Sequence, residues 1–287
     1  MVESFGCDID PEFIACYAYN TRARGLKGIW INLEYLTAEA YAERSHGLRS
    51  PVMQGPGAGL NKYFFFPGFT SSTGGLIRET NLRERQAHFN RASWLHQQGI
   101  PSHCERLISL FCYEPKALGA LLDHLTQDPT PSRLLVTAGR TREALVACLV
   151  QKKSDEPLWN KDGVLTFSYL HPLTQHEFDH LLWSCDLNFV RGEDSLVRAI
   201  WARKPFIWHI YPQYDDAHAD KLAAFLDLIE APASLRTFHE VWNGLSDDEL
   251  PPLDWPEWQK TAHRLCDLQQ THQDLTTSLI QFIEKNN

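Results

Sequence analysis

The sequence predicts an α/β chain built on parallel sheet, and three observations carry that expectation. Short apolar runs alternate with amphipathic stretches from about residue 107 to residue 228. The run Leu187 to Val190 has the look of a strand buried in a parallel sheet. Each run passes into its helix through a glycine, a proline or a capping residue, so the units read as strand–turn–helix repeats of a Rossmann-like sheet. The stretch Asp186 to Gln213 shows all three at once. Leu187 to Val190 is a strand, Gly192 permits a tight exit from it, and Ser195 is placed to cap a helix running to about Ala202. Lys204 and Pro205 end that helix, and Phe206 to Ile210 form the next strand.

The remaining elements follow in order. Val2 to Gly6 reads as the end of a strand, and the abrupt start suggests that a first strand–helix unit is lacking. Glu12 to Tyr19 suits a helix and Gly28 to Leu33 a strand. Thr37 is a cap for a helix through Arg44. Gly55 to Gly75 reads as a long glycine-rich loop with an aromatic patch at Tyr63 to Phe69, either a docking surface, the floor of a cleft between domains, or a buried loop core. Arg78 to Gln98 reads as one solvated helix. Leu107 to Tyr113, Leu134 to Thr137 and Val164 to Leu170 are strands. Pro115 opens a helix to Leu125, Arg142 to Val150 is a second, and Thr174 with Glu177 makes a capping box for a third ending near Trp183. Asp215 to Leu228 is amphipathic, and Glu257 to Ile283 supplies one long terminal helix. The expected division is residues 1–103 and residues 104–287, with the boundary near 99 to 104.

The bulk numbers bound the function. A chain of 287 residues, 43% hydrophobic and 22% charged, can bury two α/β cores. A formal charge of −9 without a basic run argues against nucleic acid and anionic membrane surfaces. No apolar run approaches the roughly 18 residues of a membrane helix. Seven scattered cysteines without a C-x-x-C spacing read as reduced thiols of a cytoplasmic protein.

Arg191, Gly192, Glu193, Asp194 and Ser195 should lie at the carboxyl edge of the sheet, at a helix amino terminus. Open α/β folds bind phosphorylated ligands there. Backbone N–H groups and Arg191 suit a diphosphate, and the carboxylates suit sugar hydroxyls. The alternative is an ordinary turn with solvated charges. Tyr113, at a strand end, is placed to stack on a base or bind a phosphate, or simply to pack. Gln175 is placed to read a base edge or to face solvent. The run His176 to His180, HEFDH, matches the zinc-peptidase spacing, with Glu177 as base. Against it stand the second carboxylate at Asp179, the use of Glu177 in the capping box and the lack of an obvious third ligand. A surface helix bearing two histidines is the competing reading.

Four stretches, WINLEYLTAEAY (Trp30 to Tyr41), FFFPGFTSSTGGLIRE (Phe64 to Glu79), LFCYE (Leu110 to Glu114) and the segment from Asp186 to Gln213, resemble the EarP family of elongation factor P arginine rhamnosyltransferases. The resemblance implies a GT-B fold, two Rossmann-like domains facing a cleft, with the N-terminal one incomplete here. It implies inverting transfer of L-rhamnose from dTDP-β-L-rhamnose to an arginine of elongation factor P, without a metal or other cofactor. By resemblance Tyr113, Gln175 and Arg191 to Ser195 bind the donor, and Glu193 and Asp194 are catalytic. Two departures stand out. A preceding glycine loop with aspartates, one the proposed general base, is absent, so this chain alone is expected to lack full activity. The HPLTQ stretch (His171 to Gln175) is less aromatic than its counterpart. A non-catalytic protein that binds the dTDP-sugar or elongation factor P remains the further alternative.

Overall fold

A computed structural model describes residues 1–25, 28–101, 105–212 and 217–286. The chain divides into two compact units. One comprises Met1–Thr80, Ala223–Phe225 and Leu268–Asn287, and the other Asn81–Leu222 and Leu226–Asp267.

The first unit holds β1 (Val2–Ser4), α1 (Pro11–Ala23), β2 (Trp30–Leu33), α2 (Ala40–Ser45), β3 (Arg49–Pro51) and β4 (Asn61–Phe65). The sheet order is β1-β2-β4-β3, with β1, β2 and β4 parallel and β3 antiparallel to β4. Asp10 caps α1 by accepting from Glu12 N at 2.8 Å. The expected long loop contains a strand, Asn61–Phe65. Trp30 pairs with Lys62 and Leu33 with Phe65, so β4 runs beside β2. Glycines at both ends hid it. Phe65, Phe66 and Phe69 are buried, so the aromatic patch serves mainly as core. Thr37 does not cap α2: its hydroxyl accepts from Glu39 N at 3.1 Å, in a turn just before the helix, and Glu39 is the N-cap residue. The last helix, Leu275–Asn286, lays Leu275, Leu279, Phe282 and Ile283 against Ile29, Ile31 and Phe65.

The second unit begins with two short helices where one was expected, α3 (Leu82–His88) and α4 (Arg91–Gln97). Asn90 breaks the run, its side chain capping α4 by accepting from Ser93 N at 2.9 Å. Nor is the segment solvated throughout: Trp94 and Leu95 are buried in a cluster with Leu107, Leu135, Leu181 and Cys185. That packing ties residues 81–101 to the second unit, so the units divide at Thr80 rather than near 99 to 104; residues 102–104 lie outside the described residues. The alternating series follows as expected: β5 (Arg106–Leu110), α5 (Leu118–Gln127), β6 (Ser132–Val136), α6 (Arg140–Asp155), β7 (Leu165–Tyr169), α7 (Gln175–Ser184), β8 (Leu187–Arg191), α8 (Gly192–Ala202) and β9 (Phe206–His209). Then come α9 (Ala217–Leu228), α10 (Ala233–Trp242) and α11 (Trp255–Thr271). The expected start of α9 at Asp215 falls on residues outside those described. Helix α10 is an element the sequence reading passed over. The expected single terminal helix is two, because Asp274 starts a new one by accepting from Thr277 N at 3.0 Å. All five strands are parallel, in the order β7-β6-β5-β8-β9.

Candidate active site

In that order the chain winds outward one way from β5 and the other way from β8, so the topological switch lies between these two strands. Ligands of open α/β sheets bind outside the carboxyl ends of the strands at such a point. Strand β5 leaves the sheet through Phe111, Cys112 and Tyr113, and β8 ends at Arg191. A cavity of about 780 Å³ opens there within the second unit, lined by Phe111, Gly139, Gln175, Arg191, Glu193 and Asp194 among others. The sequence-predicted residues thus converge, apart from Tyr113, which borders the cavity through Arg191 rather than lining it.

Gly192 has φ +68°, a conformation L side chains rarely adopt, and it lets α8 begin immediately after β8. Ser195 corrects the expectation made for it. Arg191 occupies the N-cap position, and Ser195 lies one turn inside the helix. Its hydroxyl donates to Arg191 O and accepts from Arg191 N at 3.1 Å. A side chain so committed, and buried, acts by locking the turn rather than by presenting a donor.

The Arg191 guanidinium carbon sits 4.4 Å from the ring centre of Phe111 and 4.7 Å from that of Tyr113. Two aromatic faces hold the cation in place. Its Nε is buried and has no hydrogen-bond partner among the described residues. Tyr113 is itself buried, edge-on to His209 at 5.1 Å, and its backbone N–H donates to His209 Nδ1 at 3.3 Å. Burial drives the His209 pKa down to about 4, so the ring is neutral and free to accept. Glu193 accepts from Lys221 Nζ at 2.5 Å and is part-buried. Asp194 is exposed, accepting from Arg198 Nε at 3.1 Å. Gln175 stands in the first turn of α7. Thr174 and Glu177 form the full capping box there, Glu177 accepting from Thr174 N at 2.7 Å.

That capping box also removes the zinc-peptidase reading of HEFDH. Glu177 is consumed by Thr174, whose hydrogen bonds hold its pKa below the ordinary value. His180 stacks on Phe89 at 4.9 Å and meets Trp183 at 5.2 Å. Asp179 is buried between Arg85 and Arg198, at 3.0 and 2.8 Å. No group of three or more metal-binding side chains occurs among the described residues. The surface-helix alternative is half right: His176 is exposed, whereas His180 and Asp179 are packed.

Two features of the site were missed. Phe111 supports Arg191, and Thr137, Ala138 and Gly139 form another wall. There Gly139 has φ +82°, and Arg140 makes a bidentate pair with Glu114 at 2.7 and 2.5 Å. The signal was available. Ala-Gly-Arg follows a strand and opens a helix, as Arg191 to Asp194 does with glycine and arginine in the reverse order.

Comparison with known proteins decides the family. The family model described as elongation-factor P (EF-P) rhamnosyltransferase EarP matches residues 1–284. The chain belongs to the EarP family. A protein-arginine rhamnosyltransferase of Pseudomonas aeruginosa is 41% identical over 98% of this chain and 77% of its own length. Its counterpart in Shewanella oneidensis is 36% identical over 100% and 78%. A solved structure from work on EarP-mediated arginine glycosylation of elongation factor EF-P is 31% identical, with a TM-score of 0.65 over 99% of this chain and 98% of that one. The α/β fold with its parallel sheets is accordingly that of a GT-B glycosyltransferase, and the enzyme class is protein-arginine rhamnosyltransferase. Neither the peptidase nor the purely binding alternative finds support.

Proposed function

We propose that this chain transfers L-rhamnose from dTDP-β-L-rhamnose to an arginine of elongation factor P in the cytoplasm. The donor lies in the cavity at the β5–β8 switch. The observation that carries this reading is Arg191: a cation fixed between two rings, with an unpaired buried Nε, at the first turn of α8. The backbone N–H groups of that turn and the guanidinium together suit a diphosphate, whose charge grows as the bond to the sugar breaks. With that charge met by protein groups, the step is read as independent of metal. Gln175 faces the base, Tyr113 holds Arg191, and Asp194 faces the sugar or diphosphate.

An arginine acceptor has a pKa above about 12, so carboxylates must orient it and assist proton removal as the new bond forms. Glu193 and Asp194 are assigned to that acidic set. The Lys221 pair holds Glu193 in one orientation, which suits orienting a guanidinium better than acting as sole base.

Calorimetry with dTDP and dTDP-rhamnose, then intact-mass measurement of elongation factor P after incubation with donor and enzyme, tests the reading. Binding of both ligands and a mass gain of one deoxyhexose are expected. No binding of dTDP, or binding unchanged by Arg191→Ala, would reject it.

A further inference from the structure

HEFDH contains one residue whose role is still unexplained. Asp179 is 2% exposed and lies between two arginines, Arg85 and Arg198. Arg198 is itself buried, at 5%. Removing a cation and a carboxylate from water is costly, and well-packed apolar side chains would often serve stability as well or better. The geometry suggests what the charges supply instead.

Arg198 stands one turn after Asp194 on α8, and Asp179 one turn after Gln175 on α7. The guanidinium fills the space between these two helix starts. Nη1 donates to Asp179 Oδ1 at 2.8 Å, and Nε donates to Asp194 Oδ2 at 3.1 Å. Gln175 is the third partner. With its amide oxygen turned inward it accepts from Arg198 Nη2 at 2.5 Å and Nε at 3.2 Å. The opposite orientation sets an NH2 group against a guanidinium that can only donate, in exchange for contacts of 3.3 and 3.5 Å to Asp194. The network therefore requires the oxygen inward and the NH2 outward.

We propose that Arg198, braced by Asp179 and Arg85, is a positioning residue that sets Gln175 and Asp194 in the productive orientation for the donor. This rests on the donor-site reading above. Gln175 and Asp194 are both exposed, and without the fork each must surrender rotamer freedom when ligand binds. A planar guanidinium can meet three acceptors at fixed angles, whereas a lysine is a single point charge and cannot.

Arg198→Lys and Arg198→Met test this in the whole protein. Arg85 remains to pair Asp179 in either variant, so both are expected to fold. Each should weaken dTDP binding about tenfold and raise the donor KM similarly, with kcat falling as well because Asp194 loses its brace. The decisive readout is coupling. Gln175→Ala alone should weaken dTDP, but in an Arg198→Lys background it should add little, because one device has already been lost. Full additivity, or Arg198→Lys binding like the unmodified protein, would overturn the proposal while leaving the donor site intact. Failure of the unmodified protein to bind dTDP would remove both. Should neither Arg198 variant fold, Gln175→Ala and Asp194→Asn carry the test: coupled losses support a shared clamp, and additive losses refute it.

Discussion

Two turns on the same sheet edge invite comparison, the one after β6 and the one after β8. Each carries a glycine with positive φ, an arginine and a helix start. The order differs: Gly139 is the N-cap with Arg140 after it, whereas Arg191 is the N-cap with Gly192 after it. Their arginines differ too. Arg140 is 55% exposed and pairs with Glu114, which is 51% exposed, touching Tyr113 only at 5.3 Å. Arg191 is clasped by Phe111 and Tyr113, with Neutral His209 beneath Tyr113. A motif thus supplies a cation at the right edge, but neighbouring strands decide whether it is held ready for a ligand or left to the solvent.

The largest expected break in that comparison is in affinity. Arg191→Ala should lose a charge-assisted contact of about 2–3 kcal/mol, some 30- to 150-fold in the dTDP dissociation constant by calorimetry. Arg140→Ala should change it by less than about threefold, as exposed pairs contribute little. Equal losses would mean that the two turns share the ligand.

Next comes pH. The fold holds His209 neutral, with a pKa near 4 against 6.5 for the free ring. The unfolded chain therefore takes up a proton first as pH falls below 6.5, and stability falls from there down to about pH 4. The single group accounts for about 2 kcal/mol at pH 5. Chemical denaturation at pH 7 and pH 5 should show this difference shrinking in His209→Asn. His239, buried and also lowered to about 4, will contribute in the same direction and must be left in place as the internal reference. A slope unchanged in the His209 variant would show that the ring under Tyr113 is not the neutral acceptor.

The smallest effect is conformational. Alanine at Gly192 or Gly139 meets no severe clash, since the nearest atom is Tyr113 Oη at 3.9 Å from the Gly192 Cβ position and nothing lies within 4 Å at Gly139. The cost is backbone strain, about 1–2 kcal/mol at either site by thermal melting. Only Gly192→Ala should also weaken dTDP, because it alone tilts the turn that carries Arg191. The reverse pattern would transfer the diphosphate to the β6 turn. An acidic-site substitution is less clean than the sequence suggests. Removing Asp194 takes one acceptor from buried Arg198, so activity loss at Asp194 is expected to come with some loss of stability.

Most of the second unit was legible because its strands are buried on both faces and its turns are marked by glycine and capping residues. Val2 to Phe65 was harder to read, since β4 lies between glycines and its aromatics could equally have been loop. The site was read well where a motif was contiguous, Arg191 to Asp194, and less well where it depended on contact. Ser195 looked like a cap because serine often is one, yet the glycine-driven start of α8 placed it a turn too deep. Phe111 and Gly139 belong to the site through neighbours far away in sequence.

By itself, then, the sequence determined the alternating series from β5 to α9, the tight exit at Gly192 and the acidic, cation-bearing edge, because these depend on local backbone preference and on the period of apolar residues. The tertiary structure alone decided that β5 and β8 are neighbours, that Arg191 rests on Phe111 and Tyr113, and that Asp179 joins Arg198 instead of a metal. Those outcomes depend on which distant side chains share one desolvated space, and no local period encodes that.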